Sequence, residues 1–82
     1  MSRPIHVRFF AILREQAGVS TLTLDTVSPD AATLYAELQG RCPGLTFPVA
    51  LLKVSRNEAY VDLTTPLAAG DRVVFIPPVA GG

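Results

Sequence analysis

Residues 3–10 alternate in character. Ile5, Val7 and Phe9 fall on one side of an extended chain, and His6, Arg8 and Phe10 fall on the other. A period of two predicts a strand with its first set of side chains inward. Residues 11–17 are tolerable or good helix formers, and Gly18 stands where a glycine closes a short helix or turn. Residues 20–26 alternate again, with Leu22 and Leu24 inward, which predicts a second strand antiparallel to the first. Ser28-Pro29-Asp30 reads as a helix start. Pro29 suits the first helical position, and Ser28 or Asp30 can cap free backbone N–H groups. Ala31, Leu34 or Tyr35, Leu38 and Cys42 then recur at helical spacing, until Cys42-Pro43-Gly44 ends the helix.

The second half reads as shorter pieces. Leu45, Phe47 and Pro48 form a loop, with Phe47 as its plug into the core. Residues 49–55 predict a strand, residues 56–58 a turn, and residues 59–63 a short strand with Val61 and Leu63 inward. Pro66-Leu67 and Gly70-Asp71 are turn signals. Residues 72–76 form the last strand, with Val73 and Phe75 inward and Val74 and Ile76 outward. The order predicts an α+β domain: one main helix on one face of a mixed four- to five-stranded sheet, with the first and last strands adjacent at its centre. That arrangement is a β-grasp. The domain is expected over residues 1–76, followed by a tail over residues 77–82.

Composition narrows the functional classes. The chain has 82 residues, so the area scaling leaves about 60 % of the unfolded surface buried, enough for one small core and little room for an enclosed active site. Seven basic residues balance seven acidic ones, which argues against binding nucleic acid or a membrane through charge. One cysteine and one histidine leave no disulfide framework and no Cys/His metal cluster. No signal-peptide core or long apolar run is evident, so a cytoplasmic location is expected. The carboxylates are scattered, His6 reads as a lone surface histidine, and Cys42 reads as a small buried hydrophobe rather than a reactive thiol. Lys53, the only lysine, reads as an edge-strand gatekeeper in preference to a partner contact. No constellation of catalytic side chains appears, and no stand-alone enzyme is expected.

The chemistry gathers at the other end of the sequence. Pro77-Pro78 stiffens the exit from the last strand and keeps the following residues out of the sheet. Gly81 and Gly82 carry no Cβ, so their backbone fits a narrow channel. Six residues from Pro77 to Gly82 reach about 20 Å when extended. An unhindered terminal carboxylate at Gly82 would enter another protein's site, there to be activated. These six residues offer little to bury, so they are expected to be flexible in the free chain. Alternation also places Phe10, Val74 and Ile76 together on the outward sheet face, with Tyr60 close by. With Pro77, Pro78 and Val79, they are the candidate partner-binding residues.

These segments resemble a known family. Residues 7–18 (VRFFAILREQAG) are similar to the FFA-x-L-R-E-x-x-G opening of the MoaD family, the small subunits of molybdopterin synthase. Residues 66–82 (PLAAGDRVVFIPPVAGG) are similar to its PL-x-x-G-D…PPV-x-GG ending. Where that family commonly has Ala-Val-Asn, this chain has Ser55-Arg56-Asn57. The resemblance implies a ubiquitin-like sulfur carrier of the ThiS/MoaD superfamily. A MoeB-type enzyme would use ATP and magnesium to adenylate the Gly82 carboxylate. A persulfide sulfur donor would then displace AMP, leaving a thiocarboxylate. A MoaE-type large subunit would receive the tail and pass sulfur to cyclic pyranopterin monophosphate, in a heterotetramer. The small subunit itself would bind no cofactor, and the catalytic side chains would lie in the large one. Carriers for thiamine, cysteine or tRNA thiolation are the alternatives within this class. A β-grasp interaction module with an incidental Gly-Gly is the alternative outside it.

Overall fold

The computed structural model describes residues 2–78, so the expectations for Val79, Gly81 and Gly82 lie outside the described residues. The elements run β1 (Arg3–Phe9), α1 (Ile12–Ala17), β2 (Thr21–Thr26), α2 (Ala31–Arg41), a 3-10 turn (Val49–Leu51), β3 (Lys53–Arg56), β4 (Ala59–Val61) and β5 (Arg72–Ile76). They form one five-stranded sheet in the order β2-β1-β5-β3-β4. β1 is antiparallel to β2 and parallel to β5, which occupies the centre. This is the predicted β-grasp, with five strands.

The period-two pattern decides which sheet face meets the helix. Ile5, Val7 and Phe9 of β1, Leu24 of β2, Val54 of β3 and Val73 and Phe75 of β5 are all buried. Against them α2 lays Ala31, Leu34, Tyr35 and Leu38, each fully buried. The Phe75 ring is the hub, with its centroid 5.1 Å from that of Tyr35 and 6.4 Å from that of Phe9. Burying a side chain of this size contributes about 1.5–3 kcal/mol. The Tyr35 hydroxyl donates to the Phe47 carbonyl at 2.9 Å, and burial raises its pKa.

Several sequence expectations are corrected by packing. The cap of α2 is Asp30, whose carboxylate accepts from the Thr33 N–H at 2.9 Å. Pro29 therefore lies outside the helix, where its carbonyl accepts from the Leu67 N–H at 2.8 Å. Ser28 instead donates its hydroxyl to Glu37, which also takes a hydrogen bond from Thr26. Residues 49–51 form a 3-10 turn rather than the start of a strand. A continuous apolar run carries no period, and the turn is what brings Leu52 and Val54 onto the core side.

Leu45, 1 % exposed, is the fully buried plug of this loop, and Phe47, half-buried, packs against the core as expected. The loop is held by its backbone: Gln16 Oε1 accepts from both the Thr46 and Phe47 N–H groups at 3.0 Å. Gly44 permits this approach, since a Cβ there would stand 2.6 Å from the Gln16 carbonyl oxygen. Leu63 packs on the core from beyond the end of β4. Cys42 caps α2 and is half-buried rather than enclosed. Lys53 is not on an edge strand, because β3 runs between β5 and β4.

Candidate functional site

The central strand leads towards the C-terminal segment, so the site is built around the end of β5. Register defines its neighbours. Phe9 pairs with Phe75, which sets Phe10 level with Ile76; on the other side Ile76 pairs with Lys53. One step back along β5, Val74 lies between Arg8 and Ser55, and Ser55 pairs in turn with Tyr60. Phe10 is 40 % exposed, while Val74 and Ile76 are half-buried. Phe10, Val74 and Ile76 therefore share one outward patch. Tyr60, 72 % exposed, is on the same face but two strands from Val74, with Ser55 between them. Pro77 is buried, and Pro78 is the first exposed residue after β5.

Sequence reasoning missed two features here. The first is backbone strain. Ala11, which follows Phe10, has φ 52° and ψ −125°, a conformation that suits glycine. The Leu13 N–H donates to the Phe10 carbonyl at 3.0 Å, closing a tight turn around Ala11. Ile12 and Leu51, both exposed, flank this end of the sheet, one at the start of α1 and one just before β3. No local pattern announces a strained alanine; only its place between a strand and a helix hints at it.

The second is charge. The alternation that puts Val74 and Ile76 outward puts Arg8, Lys53 and Arg72 on the same face. The Arg8 guanidinium carbon lies 5.0 Å from the centroid of the Phe10 ring, a cation–π arrangement that orders both side chains. Arg72 approaches Glu58 at 3.8 Å, and His6 Nδ1 lies 2.9 Å from Thr23 Oγ1. Arg56, the departure from the family pattern, is not part of this face. It lies on the helix side of β3, donating to the Pro66 carbonyl at 2.7 Å, with its Nε 4.0 Å from Asp71.

Among the described residues, no three His, Cys, Asp or Glu side chains converge on a point, and no helix is long and apolar enough to cross a membrane. This face has the makings of a docking surface: apolar anchors and a guanidinium seated against an aromatic ring, beside the end of the central strand.

Comparison with known proteins agrees with the fold and extends over nearly the whole chain. The ThiS family model matches residues 7–82. The molybdopterin synthase sulfur carrier subunit of Haemophilus influenzae is 31 % identical over 80 residues, covering 95 % of this chain and 99 % of the relative. SAMP1 from Haloferax volcanii superposes with a TM-score of 0.82 at 30 % identity, covering 96 % of this chain and 99 % of that one. A chain from the complex of subunits 1 and 2 of the molybdopterin-converting factor of Helicobacter pylori superposes with a TM-score of 0.68 at 31 % identity, covering 96 % and 99 %. With a match over most of its length and relatives of this identity, the chain belongs to the ThiS family, as a relative of its MoaD-type sulfur carriers.

Proposed function

We propose that this chain is the sulfur carrier of a molybdopterin synthase. The observation that carries the reading is the similarity to a molybdopterin synthase sulfur carrier over 95 % of the chain. The geometry is compatible with it. β5, clamped between β1 and β3, is a rigid base for whatever follows Pro78, and the Phe10–Ile76 patch lies at its end.

The chemistry follows from the carboxylate. Its oxygens share a full negative charge, which makes its carbon a poor electrophile. Adenylation by a MoeB-type enzyme spends ATP to attach AMP to the Gly82 carboxylate and releases pyrophosphate. A persulfide sulfur then attacks the acyl carbon and AMP leaves. A thiol reductant then cleaves the resulting acyl disulfide, freeing the thiocarboxylate and the donor's thiol as the reductant is oxidised to a disulfide. A MoaE-type large subunit docks the apolar patch, admits the tail and supplies the acid–base groups. Two such donations to cyclic pyranopterin monophosphate build the dithiolene of molybdopterin.

Intact mass tests the carrier step. Incubation with ATP, magnesium, a MoeB-type enzyme and a persulfide donor is expected to raise the mass by the exchange of one oxygen for sulfur. The chain lacking Gly82 is expected to stay unchanged while keeping its fold, since the core is built from residues between Ile5 and Phe75. Sulfuration of the truncated chain, or none of the full chain, would contradict the proposal.

A further inference from the structure

On the outer sheet face there is a shallow depression of about 380 Å³, beside the Phe10–Ile76 patch and continuous with it through Val74 and Arg8. Val74 and Leu22 supply apolar lining, Arg8, Arg72 and His6 stand around it, and Glu58 is the one carboxylate among the lining residues. Arg8 pairs with Val74 and His6 pairs with Arg72, so Arg8 and Arg72 are diagonal neighbours on adjacent strands, two residues apart in register and on the same face. Like charges so placed repel, and the fold gives them little relief. Among the described residues Arg8 has no carboxylate within ion-pair distance. Arg72 has only Glu58 at 3.8 Å, with both side chains mostly in solvent, an arrangement of little energetic worth. The chain as a whole carries equal numbers of acidic and basic residues. Two guanidinium groups sharing one exposed carboxylate, Glu58, therefore reflect how charge is distributed over the surface, not an overall excess. Stacking on Phe10 holds the Arg8 guanidinium in place and leaves its edge N–H groups free for a bidentate acceptor.

We infer that this depression receives a carboxylate-bearing knob of the large-subunit partner, an apolar side chain seated on Val74 with an Asp or Glu between Arg8 and Arg72. The inference rests on the sulfur-carrier reading and specifies the partner's surface within it. The pairing would steer encounter and fix the docking register, while the apolar anchors hold the complex.

The test is the association rate with the purified MoaE-type large subunit from the same organism, measured by stopped flow across ionic strength. For the unmodified chain, the rate is expected to fall roughly tenfold between low and high salt. Arg8→Gln and Arg72→Gln are each expected to slow association severalfold at low salt without moving the thermal midpoint. The double variant is expected to lose most of the salt dependence. Arg14→Gln, a charge removed from α1, is expected to behave as the unmodified chain does. A complex whose association ignores salt, or in which the double variant matches Arg14→Gln, overturns the inference and leaves the sulfur-carrier reading standing. Absence of any complex with the large subunit overturns both.

Discussion

Ala11 holds a backbone conformation that costs a non-glycine residue about 1–3 kcal/mol, and it does so between the two most exposed apolar residues of the opening motif, Phe10 and Ile12. The turn carries the chain from β1 into α1 while leaving Phe10 on the outer face beside Ile76. Glycine would relieve the strain at a smaller cost, about 0.4–1 kcal/mol of extra freedom in the unfolded chain. Ala11→Gly is therefore expected to stabilise the domain by about 1 kcal/mol, read as a higher denaturant midpoint with an unchanged slope. A lower midpoint would mean that the alanine methyl makes a packing contribution larger than its strain. Arg56 shows the opposite relation between sequence and site. It departs from the family pattern, yet its hydrogen bond to Pro66 is a matter of loop anchoring on the helix side of the sheet.

Among the elements, α2 depends most on a single polar contact at its start. The Thr33 N–H donating to Asp30 lowers the Asp30 pKa below its ordinary 3.8, with burial a minor opposing effect. Because the folded value lies below the unfolded one, the capping contribution is present above the unfolded pKa and is lost as pH falls through the folded value. Asp30→Ala is expected to cost about 1 kcal/mol at neutral pH, and the gap to the unmodified chain should narrow below about pH 4. A gap constant with pH would mean that the ionised carboxylate is not what caps the helix.

The strands and α2 were legible because their buried faces repeat with clean periods: Ile5, Val7 and Phe9 every second residue, and Ala31, Leu34, Tyr35 and Leu38 at helical spacing. Residues 45–52 were not. There Leu45 and Leu52 are placed by tertiary backbone contacts to Gln16 and by a 3-10 turn, neither of which leaves a period in the sequence. On the outward face, Phe10, Val74 and Ile76 were legible as the complement of the buried set. That Arg8 and Arg72 are diagonal neighbours on that face became visible only from the β1–β5 register.

At the scale of the whole molecule, the described residues form one small sheet-and-helix body, and the proposed chemistry belongs to the residues that follow it. β5 is held on both sides, runs down the middle of the sheet and ends beside an apolar and cationic surface. The proposed reaction draws its acid–base groups from the partner. In that proposal its part is to present one activated carbon, while a larger partner holds the acceptor. The most direct test is therefore transfer itself. The chain bearing a terminal thiocarboxylate is mixed with the MoaE-type large subunit and cyclic pyranopterin monophosphate, and carrier mass and pterin product are followed together. The account predicts that the carrier returns to its unsulfurated mass as molybdopterin forms, with two carriers discharged for each product. A carrier that keeps its sulfur in the presence of subunit and substrate, while discharging it to another acceptor, would contradict it.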